Sequence, residues 1–190
     1  MLTQTLICTV KLRLITNNTF VKGWLEDEII DAYLFIVLKS FTNVLLIECW
    51  QAAYLSSSLE NVRFNSFDFS DKDFIIIPCN PSSAHWVLLF CCIPLKTIYF
   101  LDPANFEKDL SPQAKLYLNL LSHWKSVLEY LFEGDLWKVE ILPHYCQKDS
   151  VSCGVFICWY TKRLLFNEDI TSEFDELVFR QQILNTIEQF

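Results

Sequence analysis

Gln147-Lys148-Asp149-Ser150-Val151-Ser152-Cys153-Gly154-Val155-Phe156 is a polar loop that stops at a cysteine and turns at once into an apolar run reaching Phe166. A cysteine that opens a helix stands at the positive end of the helix dipole, which favours thiolate over thiol. Gly154 removes a side chain beside that sulfur and leaves room for a substrate backbone. Gln147, six residues upstream, is placed to aim its amide N–H₂ at a developing oxyanion, together with the Cys153 backbone N–H. The same ten residues also read as a buried cysteine opening a core helix. A nucleophile needs a base, so the choice depends on what the rest of the chain supplies.

Three histidines are available. His123 lies in a long helical pattern beside Trp124 and reads as structural. His144 follows Pro143 at a strand end and also reads as structural; with Cys146 it makes two ligands, too few for a metal site. His85 differs. It enters a strand after a Pro-Ser-Ser-Ala turn, an exposed junction suited to a general base. Asp102 ends the next strand, Tyr99-Phe100-Leu101. The Pro94-Leu95-Lys96 turn between them is about nine residues from His85 and about seven from Asp102. An antiparallel pair therefore brings the carboxylate back to the imidazole, where it fixes the tautomer and favours the cation. A strand-terminal Asp before Pro103 that only starts a turn fits equally well.

Outward from these residues the chain reads as α+β. Alternating apolar and polar residues from Leu2 to Leu14 predict a strand or hairpin. Trp24-Leu25-Glu26-Asp27-Glu28 opens a helix to about Ser40, its acids in the first turn. A shorter helix is expected over Cys49–Leu59 and a loop over Asn61–Lys72. Strands are expected over Phe74–Ile77, Trp86–Cys92 and Thr97–Leu101, bounded by Pro and Ser clusters. Ser111-Pro112 starts a long helix whose apolar face is Leu116, Leu120, Trp124, Val127, Leu128 and Leu131, stopped by Gly134. Another strand follows at Trp137–Leu142, then helices over Cys153–Phe166 and Phe174–Phe190. The sum is one small central sheet with helices before, beside and after it.

Composition narrows the class. A chain of 190 residues fits one domain spanning 1–190. With 52% apolar residues, 16 Phe, 7 Tyr and 6 Trp, it is not disordered. A net charge of −8 argues against nucleic acid as a partner, since phosphate binding needs clustered Lys and Arg. The eight cysteines include no CxxC pair, and most sit inside apolar runs as small core hydrophobes. The N-terminus carries no signal-peptide pattern, and the longest uncharged run, Phe74–Leu95, holds three prolines and a histidine, so no membrane span is expected. A reducing cytoplasm or nucleus is the expected setting, with secretion into a host cell the other possibility.

In chain order, His85-Trp86, then Asp102, then Gln147-x5-Cys153-Gly154 resembles the ubiquitin-like-protein proteases, that is, the sentrin- or SUMO-specific proteases and their adenovirus-protease relatives. Gly23-Trp24-Leu25-Glu26-Asp27-Glu28-Ile29-Ile30 resembles that family's Trp-Leu-x-Asp helix opening. Ile75-Ile76-Ile77-Pro78 and Ala84-His85-Trp86-Val87-Leu88-Leu89 resemble its central strands, and Phe179-Arg180 its late Phe-Arg. The likeness spans about residues 20–185. Two departures stand out: Ser152 where the family most often has Asp, and Glu26 where Asn is common.

The resemblance implies a papain-like cysteine protease fold with rearranged order (His, Asp, Cys) and a small mixed sheet flanked by helices. It implies Cys153 as nucleophile, His85 as base and then acid, Asp102 as orienting acid, Gln147 as oxyanion donor, and Trp24 and Trp86 as indoles roofing a tunnel for a diglycine tail. The implied activity is an isopeptidase or peptidase that cuts after the C-terminal diglycine of a ubiquitin-like modifier through a thioester. SUMO is the first expectation for the modifier, with ubiquitin or another as alternatives. Asp68, Asp71, Asp73 and Glu26 are candidate contacts to a basic modifier surface. No cofactor or metal is expected, the partners are the modifier and its conjugates, and the chain is expected to be a monomer. An acyltransferase of the same fold and an inactive modifier-binding module are the competing readings.

Overall fold

The strands that read as continuous apolar runs do so because both faces of their sheet are covered. The computed structural model describes Val10 and residues 23–57, 67–104 and 112–190. Its sheet has five strands in the order β1 (Val44–Leu46), β2 (Phe74–Cys79), β3 (Val87–Cys92), β4 (Thr97–Leu101) and β5 (Lys138–Ile141). The inner pairs β2/β3 and β3/β4 are antiparallel, and the outer pairs β1/β2 and β4/β5 are parallel. Every residue of β3 is buried.

Alternate residues of these strands feed two cores. Ile76, Leu88, Phe90 and Leu101 pack with α1 (Asp27–Leu38), α4 (Cys153–Leu165) and α5 (Glu176–Gln189). Ile75, Ile77, Leu89 and Phe100 pack on the other face with α2 (Cys49–Ser57) and α3 (Pro112–Leu131). The fold is α+β with a mixed sheet, as expected. α4 is buried on all sides from Cys153 to Thr161, which is why it shows no clean amphipathic stripe.

Element ends follow local chemistry. Asp175 caps α5, its carboxylate accepting the amides of Leu177 and Val178 at 3.0 and 3.1 Å. α5 thus begins at Glu176, two residues later than Phe174. α1 begins at Asp27 and ends at Leu38, inside the expected Trp24–Ser40 span. Gly134 leaves α3 with φ +86, its amide bonded to the Glu129 carbonyl at 2.7 Å, a left-handed exit that glycine makes cheaply. The buried face of α3 also includes Tyr117 and Leu121, which the expected stripe omitted. His123 bonds the Leu55 carbonyl at 2.8 Å and ties α3 to α2, the structural part foreseen for it. Of the expected Leu2–Leu14 strand only Val10 is described, and it is helical, not extended; Ser111 and residues 61–66 of the expected loop also lie outside the described residues.

Cys49 is more than a core filler. Its amide is received by both Asp31 carboxylate oxygens at 2.9 and 3.1 Å, which starts α2. Burial lifts the Asp31 carboxyl to about 7, against the lowering effect of those bonds.

Candidate active site

The β3–β4 hairpin builds the first half of the site. Asn80 shapes the preceding turn: its carbonyl accepts the Ser83 amide at 3.2 Å and its side-chain oxygen accepts the His85 amide at 3.1 Å. Ser83 sits at φ 57 to close that turn. The hairpin register pairs Leu88 with Leu101; carried one pair further it sets Asp102 beside Val87, two residues from His85. His85 Nε2 lies 2.6 Å from Asp102 Oδ1. Asp102 is 3% exposed, and the same oxygen also accepts the Ala104 amide at 2.9 Å. Both sequence readings of Asp102 therefore hold at once: it starts the turn and it faces the imidazole.

With Nε2 directed at Asp102, Nδ1 is left for the sulfur, and Cys153 lies near enough to the ring to raise its proton affinity. Burial pulls the His85 imidazole down, but the bonds and charges of Asp102 and Cys153 outweigh it and lift the ring to about 9. At neutral pH the imidazole is thus held as a cation beside the sulfur. Cys153 is the first residue of α4 and 1% exposed.

The loop before α4 completes the arrangement. The Gln147 amide donates to the Pro103 carbonyl at 2.8 Å, fixing the loop to the turn that follows Asp102. His144 sits behind it, Nε2 at 2.9 Å from the Asp102 carbonyl and Nδ1 at 2.6 Å from the Leu142 carbonyl. Tyr160 on α4 donates to the Tyr145 carbonyl at 2.6 Å. The side-chain amide of Gln147 donates to the Asp149 carbonyl at 2.8 Å. Its Oε1 is buried with no hydrogen-bond partner among the described residues, and the N–H beyond the one given to Asp149 leaves the amide a donor for an oxyanion. The loop reaches the indoles too: Trp24 Nε1 donates to the Ser150 carbonyl at 3.0 Å.

Trp24 is 46% exposed and Trp86 only 7%, its Nε1 bonded to the Leu25 carbonyl at 3.2 Å. Both line one groove of about 620 Å³, together with Asp27, Trp50, Asn80 and Pro81. Gly154 does not serve the purpose expected of it. A Cβ there would come within 3.0 Å of Leu25 Cβ, 3.2 Å of Ile30 Cδ1 and 3.4 Å of Trp86 Cδ1. The glycine admits the segment leading into α1 and the Trp86 ring against α4; it is a packing glycine, not an opening for substrate.

Residues 53–188 match the sequence profile of the Ulp1 protease family, C-terminal catalytic domain. The chain belongs to the Ulp1 protease family. It is a cysteine protease of that family. No curated protein sequence matches it. Among solved structures, the SUMO protease Ulp1 with its catalytic cysteine oxidised to a sulfenic acid aligns with TM-score 0.80 and 18% identity over 100% of this chain and 96% of that one. The C-terminal Ulp1 protease domain in complex with Smt3, the yeast ortholog of SUMO, aligns with TM-score 0.78 and 18% identity over 99% and 96%. The Xanthomonas campestris effector XopD bound to ubiquitin aligns with TM-score 0.66 and 19% identity over 88% and 91%. At these identities the likeness is one of fold.

For an Ulp1-family chain the acids proposed as modifier contacts divide. Asp68 is used locally, accepting both the amide and the hydroxyl of Ser70 at 3.0 and 2.6 Å. Asp73 is bonded to Asn43 Nδ2 at 2.6 Å. Asp71 and Glu26 are exposed, and Glu26 lines the groove. Among the described residues no group of three or more His, Cys, Asp or Glu is arranged around a metal position, and no helix is long and apolar enough to cross a membrane. Asp149 was missed by the sequence reading. Its signal was present: an Asp followed by Ser-Val-Ser is an Asx-turn pattern, and its Oδ1 accepts the Val151 and Ser152 amides, each at 2.8 Å.

Proposed function

We propose that residues 1–190 form a single catalytic domain that cleaves the bond after the C-terminal diglycine of a ubiquitin-like modifier. The observation that carries this is the His85 ring held between Asp102 at 2.6 Å and the Cys153 thiol at the start of α4. With that proton already on His85 Nδ1, the sulfur attacks the glycine carbonyl as a thiolate. The oxyanion of the tetrahedral intermediate is received by the free N–H of the Gln147 amide and the Cys153 backbone N–H. His85 returns its proton to the leaving amine, a lysine side chain or the next residue of a precursor. Water, deprotonated by the same ring, then hydrolyses the thioester. Asp102 keeps the ring oriented throughout.

The choice of a modifier tail rests on the groove. Trp24 and Trp86 both line it, and two indole faces set close together would admit residues without side chains and exclude larger ones. Among the described residues, Glu26 and Asp27 are the charged ones lining the groove, which suits a basic modifier surface. SUMO is the modifier first proposed, since the Ulp1 neighbours are SUMO proteases; ubiquitin is the alternative, XopD having been solved with it.

The test is a set of modifiers carrying C-terminal electrophiles, SUMO and ubiquitin first, offered to the chain and to Cys153→Ala. A covalent adduct with one modifier that is absent in the variant supports the reading. No adduct with any modifier overturns it and turns attention to acyl transfer. Tight binding without an adduct identifies a modifier-binding module.

A further inference from the structure

Arg180 projects from α5 into the interior and is 3% exposed. A buried guanidinium is costly unless its charge and its N–H groups are met. It does not face a carboxylate on the residue ahead of the nucleophile, because that residue is Ser152. Arg180 Nη2 instead donates to Ser152 Oγ at 3.2 Å, with the Val151 carbonyl at 3.4 Å. Ser152 is fully buried and passes the contact on: its hydroxyl donates to Asp149 Oδ2 at 2.6 Å. A hydroxyl can accept and donate at once, so the serine works as a relay between guanidinium and carboxylate.

The carboxylate end of this chain is fixed. Asp149 Oδ1 accepts the amides of Val151 and Ser152 at 2.8 Å each. Burial raises the Asp149 carboxyl, but the Ser152 hydroxyl and these amides hold it below the ordinary carboxylate range. The Asp149 carbonyl is also the group that receives the Gln147 side-chain amide at 2.8 Å. Arg180, Ser152, Asp149 and Gln147 are therefore linked in unbroken order by three contacts, from α5 to the loop before α4. What lies at the far end is the side chain assigned above to the oxyanion, and the Cys153 N–H follows directly on Ser152.

We infer that Arg180, through Ser152 and Asp149, is a positioning residue that holds the Gln147–Cys153 loop with its two oxyanion donors aimed. This rests on the proposed function, since it presumes an acyl substrate and an oxyanion. Ser152 is here part of the machinery of alignment: Glu176, one turn earlier on α5, and Asp149 both supply negative charge to Arg180, and the serine hydroxyl links the guanidinium to Asp149.

The experiment compares two reactions of Cys153 in the full chain. One is steady-state cleavage of a modifier with a C-terminal fluorogenic amide, which passes through an oxyanion. The other is alkylation by iodoacetamide, a displacement that forms none. Arg180→Met and Ser152→Ala should each lower kcat by about 10–10²-fold, as misplacement of a reacting group on the order of 1 Å does. KM and the alkylation rate should stay within a few-fold, and Arg180→Lys should recover part of kcat. Equal losses in both reactions would mean general collapse of the site and would overturn the inference, as would an unchanged kcat. Ser152→Ala, which removes one oxygen, carries the test if Arg180→Met fails to fold. An unmodified chain that cleaves no modifier amide overturns the proposed function and this inference together; cleavage that survives in both variants overturns the inference alone.

Discussion

Asp102 Oδ1 serves two donors at once, His85 Nε2 at 2.6 Å and the Ala104 amide at 2.9 Å. Removing the charge can therefore be separated from removing the turn. Asp102→Asn keeps an oxygen for Ala104 and should fold normally, with a midpoint of unfolding within about 1 kcal/mol of the parent. It should nonetheless lower kcat by about 10²–10⁴-fold, because an amide carries no charge to support the imidazolium. Steady-state kinetics with parallel denaturant titration checks both halves.

The same pair sets a pH dependence. The His85 ring is raised from 6.5 to about 9 in the folded chain, so folding binds its proton more tightly than the unfolded chain does. That contribution is complete below pH 6.5 and disappears as pH rises through about 9. The thermal midpoint should fall across this window, and fall less in His85→Gln. Asp31, lifted to about 7, titrates near the lower end of the window, so the difference between the two chains is the quantity to measure. Parallel profiles for parent and His85→Gln would show that the ring is not held as a cation.

Gly154→Ala sets two effects against each other. Alanine is the better helix former by about 1 kcal/mol. Its Cβ, however, would lie 3.0 Å from Leu25 Cβ and 3.2 Å from Ile30 Cδ1, and Leu25 Cβ is anchored to backbone in the core. Overpacking of this kind costs about 1–3 kcal/mol, so the variant should be less stable by about 1–2 kcal/mol. Urea titration decides the sign.

The two indoles should separate in their readouts. Trp86 is 7% exposed, and Trp86→Ala should cost about 3–5 kcal/mol of stability besides activity. Trp24 is 46% exposed, and Trp24→Ala should leave the midpoint nearly unmoved while weakening cleavage of diglycine-terminated substrates. A modifier tail ending in Ala-Ala tests the passage from the substrate side: the parent should discriminate against it, and Trp24→Ala should discriminate less.

Gln147 donates to a carbonyl 2.8 Å away. Gln147→Ala should reduce kcat by about 10²–10³-fold. Gln147→Glu should do worse than alanine, since it turns an acceptor toward the Asp149 carbonyl and a negative charge toward the developing oxyanion. Single-turnover acylation rates on one modifier substrate rank the three chains.

What the sequence revealed and what it hid divide by distance along the chain. His85 and Asp102 were legible as partners because one hairpin joins them and strand arithmetic across a short turn is reliable. Cys153 was legible because a polar loop meets an apolar helix there. Gly154 was misread because its neighbours, Leu25 and Ile30, come from a segment more than 120 residues earlier, and no local pattern announces that contact. Arg180 escaped assignment for the same reason: a relay through a serine joins it to Asp149, 31 positions away, and only packing of α5 against α4 brings them together; Asp149 itself carried a local Asx-turn signal. The start of α5 shifted because Asp175, a cap, outranks the apolar Phe174 in setting where a helix begins.

The base and acid reside on a single hairpin, whereas the thiol rides on α4 and is buried to 1% against it. A nascent chain thus completes the imidazole–carboxylate pair about fifty residues before the sulfur is synthesised. Until α4 docks on β3, Cys153 is an ordinary cysteine with no cation beside it. Its reactivity is then a late gain of folding, and partly synthesised or locally opened molecules are chemically quiet by construction.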